Sequence, residues 1–272
     1  DPSDSVRESL PDGDGPGRTP HRGGSTRGVG RDMHIAVLTI FPELFREFLA
    51  TSLVGRAVDK GALRVVVRNL RDFASDKHKT VDDEPFGGGG GMVMAAPPWI
   101  EAVQAMTAED RPWRVLLSPQ GSRLNESKVQ ELGKRENLLF LCGRYEGIDE
   151  RVRMTVVDEE ISIGDYVLSG GELPAMVRIE ALSRQIAGVV GRPESVEQDS
   201  FRTGLLDYPH YTRPRVVEGM EVPEILLSGD HQAIELWRER QALEMTRRKR
   251  PDLLKGAELT AEQRRLLEML ED

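Results

Sequence analysis

Between Leu138 and Glu172 the chain reads LLFLCGRYEGIDERVRMTVVDEEISIGDYVLSGGE, and two apolar runs there end directly in glycine-rich turns, at residues 143–147 and 164–171. A third turn of this kind, Ser118-Pro119-Gln120-Gly121, follows the apolar run 115–117. Glycine lets bare backbone approach a ligand closely, and in a sheet of parallel strands ligands settle beyond the carboxyl ends. Three such ends could converge on one pocket. A further run, residues 87–91, is five consecutive glycines that could cradle a phosphate or a planar base. No Gly-Lys-Ser/Thr follows it, and no Gly-x-Gly-x-x-Gly follows the first strand, so the patterns of a nucleotide-hydrolase P-loop and of a Rossmann dinucleotide site are missing. The single cysteine, Cys142, cannot form an internal disulfide or a Cys-x-x-Cys zinc site, and it reads as a small buried residue at the end of a strand.

The elements that must position these turns alternate between strand and helix. Residues 34–41 read as a buried strand, Pro42 opens a helix to about Ala50, and 63–68 is a β-branched strand. After a loop at 80–94 come a helix near 98–106, a strand at 114–118, a helix near 125–136 and a strand at 138–142. This alternation predicts an α/β fold with a parallel sheet. A helix from Glu172 to about Ile186 places Leu173, Met176, Val177, Ile179, Leu182 and Ile186 near one face, the spacing of a helix packed on a core. Residues 187–223 are rich in Gly, Pro, Ser and charge, too long for a simple connection, and are expected to be a functional linker. Beyond them Asp230 can cap a helix carrying Ile234 and Trp237. Thr260-x-x-Gln263 forms a capping box before Leu266, Leu267 and Leu270, so a small all-helical C-terminal domain over 224–272 follows.

Composition sets wider bounds. The 272 residues are 38% hydrophobic and 31% charged, ordinary for a globular protein, and residues 33–186 are long enough for one domain. Residues 1–32 carry almost no large apolar side chains and are expected to be a disordered extension, with Met33 as the start of the domain. No apolar run approaches the roughly 18 residues needed to span a bilayer, and the N-terminus lacks a signal peptide's apolar core, so a cytoplasmic protein without a membrane partner is expected. A net charge of −9 argues against unselective coating of nucleic acid but leaves room for local basic patches. One is Arg238, Arg240, Arg247, Arg248, Lys249 and Arg250; another is Arg68, Arg71, Lys77, His78 and Lys79. From charge alone each is a solvated face or a phosphate contact.

Taken in order, PFGGGGGM, LSPQG, CGRYEGIDER, SIGDYVLSGGELPA, and DSF followed by GLLDYPHYTRP resemble the bacterial tRNA (guanine-N1)-methyltransferases, the TrmD family, from Met33 to the C-terminus. The resemblance implies the SPOUT class, in which the C-terminal part of the sheet domain is threaded into a trefoil knot that binds S-adenosyl-methionine. It implies transfer of a methyl group to N1 of the guanine immediately 3′ of the tRNA anticodon. It also implies a homodimer with a composite site, one subunit holding the cofactor and its partner contributing the linker at 187–223. Its cofactor positions fall on Pro119, Gln120, Gly143, Ile163, Gly164, Asp165, Tyr166, Val167, Leu168, Gly170 and Gly171.

Three further residues carry the chemistry the resemblance implies. Glu146 matches an acidic residue near the methionine end of the cofactor; read by itself it is a turn residue pairing with Arg144 or Arg151. Asp199 of the DSF motif matches the general base that removes the N1 proton, although by itself an Asp there caps a loop. Arg184 matches the arginine that stabilises charge on O6. The C-terminal helices with residues 238–250 would grip the anticodon branch, and the glycine run with His78 and Asp82 would shape the guanine pocket. The family's transfer is associated with Mg2+, but the sequence shows no ligand constellation for a metal. The competing readings are a SPOUT enzyme acting on another nucleoside and a silent RNA-binding module. The DSF-bearing linker joined to a helical tail argues against the first, and intact Arg184, Glu146 and Asp199 against the second.

Overall fold

Five parallel strands form the centre of this computed structural model, which describes residues 32–108, 111–190 and 199–270. In chain order the strands are β1 (Met33–Thr39), β2 (Leu63–Asn69), β3 (Asp82–Asp83), β4 (Val93–Met94), β5 (Trp113–Arg123), β6 (Asn137–Cys142), β7 (Glu159–Ser162), β8 (Val216–Val217) and β9 (Met220–Glu221). The main sheet runs β2-β1-β6-β5-β7, while β3 with β4 and β8 with β9 are two-residue antiparallel ladders. The helices are α1 (Arg46–Ala50), α2 (Ser52–Asp59), α3 (Ala96–Thr107), α4 (Glu126–Gly133), α5 (Glu150–Val156), α6 (Glu172–Ser183), α7 (His231–Lys249), α8 (Pro251–Leu254) and α9 (Ala261–Glu268). The extension expected at 1–32 lies outside the described residues except for Asp32, as does the part of the linker at 191–198.

Side-chain alternation explains how helices cover both faces of the sheet. In β6, Leu138, Phe140 and Cys142 point into one layer and Leu139 and Leu141 into the other, none more than 1% exposed. The first layer contains Val54 of α2, Leu132 of α4, and Ile179 and Leu182 of α6. The second contains Trp99 and Val103 of α3 and Val152 of α5. Truncating a side chain as enclosed as Phe140 to Ala costs about 3–5 kcal/mol.

Three expectations need correction. The helix expected from Pro42 to Ala50 is a 3-10 turn, Pro42–Phe45, followed by α1; extended Thr51 then separates α1 from α2, an element that the sequence pattern does not announce. Strand β5 does not stop at Ser118 but runs on to Arg123. On α6, Leu173 and Val177 face outward, 57% and 46% exposed, while Glu172, Ala175, Arg178, Ile179 and Leu182 are buried. The helix carries apolar residues on two stripes, and the stripe that packs on the sheet is the one holding two charged residues. Arg178 lies with its guanidinium carbon 5.0 Å from the centroid of the Phe140 ring. None of its three side-chain nitrogens has a hydrogen-bond partner among the described residues, and burial lowers its pKa to about 10.

The C-terminal helices start where the sequence signals them. The Asp230 carboxylate accepts from the backbone N–H groups of Gln232 and Ala233, both at 3.1 Å. Thr260 and Gln263 form the reciprocal capping box of α9.

Candidate active site

At the carboxyl ends of β5, β6 and β7 the three glycine turns meet around one cleft of about 290 Å³. Each wall has a local cause. Between Leu117 and Ser122, β5 shifts register against β7, so Ser118, Pro119 and Gln120 bulge out of the ladder and into the cleft. Gly121 closes that bulge against β7, where a Cβ would sit 2.2 Å from the backbone nitrogen of Ile161. The turn after β6 supplies Gly143 to the cleft, with Tyr145 held at φ +60 and Gly147 at φ +131. The turn after β7 supplies Ile163, Gly164, Tyr166, Val167, Leu168, Gly170 and Gly171. These two turns touch: Gly171 N donates to Gly143 O at 3.0 Å, and a Cβ on Gly171 would lie 2.7 Å from Cys142 Cα. Burial and then the Glu172 carboxylate push the Cys142 thiol well up, which suits a packing residue rather than a nucleophile.

Glu146 lines the cleft and lies against the glycine run. Its N–H donates to Met92 O at 3.0 Å, and a Cβ on Gly91 would meet its Oε1 at 2.5 Å. Met94 N donates to Gly147 O at 2.9 Å and Asp149 N to Met94 O at 2.9 Å, which ties the end of the run to the turn after β6. Under that turn, Arg144 Nε donates to Glu172 Oε2 at 3.0 Å, and Thr39 Oγ1 donates to Glu172 Oε1 at 2.7 Å. On the opposite wall Arg153 Nη1 donates to Gln120 Oε1 and lies 3.4 Å from Glu160 Oε1.

The candidate residues therefore separate into two groups. Every cofactor candidate except Asp165 lines the cleft; the Asp165 carboxylate instead pairs with Arg123. Arg184, at the C-cap of α6, pairs with Asp199, and neither side chain lines the cleft of its own chain. The segment beginning at Asp199 is anchored on both sides. Arg202 Nη1 donates to Glu126 Oε1 at 3.2 Å and Gln185 Oε1 at 2.9 Å, and Leu206 N donates to Thr246 Oγ1 of α7 at 2.9 Å. His78 and Asp82 also lie outside the cleft lining: His78 N closes a turn onto Asp76 Oδ2 at 2.8 Å, and Asp82 pairs with Met94 across β3 and β4. Sequence reasoning gave no role to Glu172 and Arg153, which lie at or beneath the cleft; Glu172 stands within the SIGDYVLSGGELPA motif as the acidic residue opening α6, whereas Arg153 lies outside every motif that carries the resemblance. Among the described residues no group of three or more His, Cys, Asp or Glu is placed to hold a metal ion, and no helix is long and apolar enough to cross a membrane.

The family model described as tRNA (Guanine-1)-methyltransferase TrmD matches residues 33–256. A tRNA (guanine-N(1)-)-methyltransferase of Moorella thermoacetica is 54% identical over 239 residues, covering 87% of this chain and 96% of the relative. One from Halorhodospira halophila is 54% identical over 243 residues, covering 89% and 92%. The crystal structure of the tRNA (m1G37) methyltransferase from Aquifex aeolicus superposes with a TM-score of 0.67 at 42% identity, covering 82% of this chain and 95% of that one.

Proposed function

The chain belongs to the tRNA (guanine-1)-methyltransferase TrmD family, and from that premise we propose how its residues carry out the reaction. It is a tRNA (guanine-N1)-methyltransferase acting on the guanine immediately 3′ of the anticodon, with S-adenosyl-methionine as methyl donor. The cleft fits such a donor. Its walls include glycine backbone, and at Gly164, Gly170 and Gly171 an added Cβ would come within 3.0 Å of neighbouring atoms, while Glu146 supplies an acidic group for a cationic sulfonium. When bound, the donor supplies an electrophilic methyl group, and the chain's own side chains handle the proton. Guanine N1 ionises little near neutral pH, so a base must take its proton as the methyl group arrives. In this reading the Asp199 carboxylate accepts that proton and the Arg184 guanidinium donates to O6 as charge builds there.

The observation that carries the mechanism is the pairing of Arg184 with Asp199 away from the cleft of the same chain. It supports a homodimer in which the cleft of one subunit works with the Arg184–Asp199 pair of its partner. Leu173 and Val177, exposed one helical turn apart on α6, are suited to such a contact. The basic end of α7 is assigned to the anticodon branch. Along α7 and its C-cap, Arg238 and Arg250 are tied to Glu235 and Asp252, whereas Arg240 in mid-helix and Arg248 and Lys249 in the last turn make no ion pair among the described residues.

Mapping methyl transfer on one tRNA transcript tests the assignment. A transcript with guanine 3′ of its anticodon should yield N1-methylguanine at that position alone, and the same transcript with adenine there should not be methylated. Comparable transfer to the adenine transcript would overturn the reading.

A further inference from the structure

We propose that Glu172 is a positioning residue for the methyl donor: its buried carboxylate neutralises Arg144 and locks the turns on either side of the cleft at the spacing that admits a cationic ligand. The inference rests on the assignment of the cleft to S-adenosyl-methionine.

Three strand ends meet at this carboxylate. Glu172, the first residue of α6, is 1% exposed. Its Oε1 accepts from Thr39 Oγ1 at the end of β1, and its Oε2 accepts from Arg144 Nε just beyond β6. Glu172 itself follows the turn after β7. Thr39 Oγ1 in turn accepts from Phe41 N at 2.9 Å, and the Arg144 guanidinium carbon lies 4.5 Å from the centroid of the Phe41 ring. The pair also explains a glycine. Arg144 and Gly170 form a β-bridge, and a Cβ on Gly170 would lie 2.3 Å from Arg144 Nε and 2.4 Å from Glu172 Oε2. The clamp therefore occupies the space that any side chain at position 170 would need.

Charge makes the clamp more than a strut. Arg144 lines the cleft, and its charge is met by a carboxylate whose side chain is only 2% exposed. Without that carboxylate, a guanidinium would stand uncompensated beside a ligand that is itself a cation. Like charges about 10 Å apart at an effective dielectric of about 20 repel by roughly an order of magnitude in affinity. The spent product, S-adenosyl-homocysteine, is a neutral thioether at the same atom and should hardly respond. A purely structural strut would weaken both ligands alike.

Calorimetric titration of the full-length protein with both ligands distinguishes these outcomes. Glu172→Gln keeps the size while removing the charge: its amide oxygen can still accept from Arg144 Nε, and its NH2 can donate to Thr39 Oγ1 in place of the bond that Thr39 now gives. It should raise the Kd for S-adenosyl-methionine about tenfold and change that for S-adenosyl-homocysteine less than threefold. The double variant Glu172→Gln with Arg144→Gln should return the ratio of the two constants to within threefold of the parent, and thermal melts should show all three proteins folded. Equal weakening of both ligands, unchanged affinities, or failure of the double variant to restore the ratio would each overturn the proposal. A parent that binds neither ligand would reject the cleft assignment itself, and the proposal with it.

Discussion

Gly171→Ala is the substitution whose effect the structure defines most closely. Gly171 sits at φ −82, a conformation alanine adopts freely, so the backbone carries no penalty and the effect is steric alone. The new methyl carbon would lie 2.7 Å from Cys142 Cα and 3.2 Å from its Cβ, against about 3.4 Å for ordinary contact. The two turns must part by about 0.7 Å, the difference between 3.4 and 2.7. A parting of that size stretches the 3.0 Å bond from Gly171 N to Gly143 O beyond hydrogen-bonding range. Overpacking a dense interior costs about 1–3 kcal/mol and the lost bond about 1 kcal/mol, so a loss of about 2–4 kcal/mol is expected. For a chain of this size that lowers Tm by about 5–10 °C. Because both turns line the cleft, the Kd for S-adenosyl-methionine should rise about 10- to 100-fold, the equivalent of roughly 1.4–2.8 kcal/mol. Scanning calorimetry and titration calorimetry measure the two effects. Gly256→Ala, where an added Cβ meets nothing within 4 Å, is the control. A Gly171→Ala protein with parental Tm and cofactor affinity would refute the claim that the turns are set at contact distance.

Two further outcomes follow from the same coordinates. If the site is shared between subunits, mixed dimers of Gly143→Val and Asp199→Ala chains should recover part of the methyl transfer that each homodimer lacks; verified mixed dimers that stay inactive would rule out a composite site. Arg178→Leu should stabilise the fold by about 1–3 kcal/mol: a guanidinium lowered by burial from its ordinary value to about 10 carries roughly 3 kcal/mol of unfavourable burial. Because the folded-state value is the lower one, that penalty is complete below pH 10 and is relieved only as pH rises above it towards the ordinary guanidinium range, so chemical denaturation at pH 7 should show the full gain, and an unchanged or lower midpoint would mean the guanidinium is compensated.

The cleft is largely legible in the sequence because a glycine directly after an apolar run marks backbone that must turn sharply or be approached closely, and Gly143 and Gly164 do lie just beyond the ends of the parallel strands β6 and β7, while Gly171 closes the turn after β7 as the N-cap of α6. The register shift in β5 is not legible. Residues 118–121 look like a turn that ends a strand, and only pairing with β7 on both sides of the bulge reveals that the strand continues. The orientation of α6 is hidden for a related reason. Periodicity finds apolar stripes but cannot say which one meets the sheet, and the buried stripe contains Glu172 and Arg178, which resemble solvated residues in a one-dimensional reading. Glu172 becomes intelligible only when Thr39 and Arg144, 133 and 28 positions away, arrive beside it. The Arg184–Asp199 pair has no local signal, since a separation of 15 residues across a linker matches no helical or strand period. Family resemblance alone singles the two residues out, and the coordinates bring their side chains together.

Single-turnover methyl transfer by Asp199→Asn, with donor and tRNA both saturating, tests the proposed chemistry most directly. The amide keeps the size of the side chain but cannot take the N1 proton. The rate should fall by about 10²- to 10⁴-fold while the affinity for S-adenosyl-methionine, bound in a cleft that Asp199 does not line, stays at the parental value. A rate close to that of the parent would contradict the proposed mechanism and move the role of base to another group.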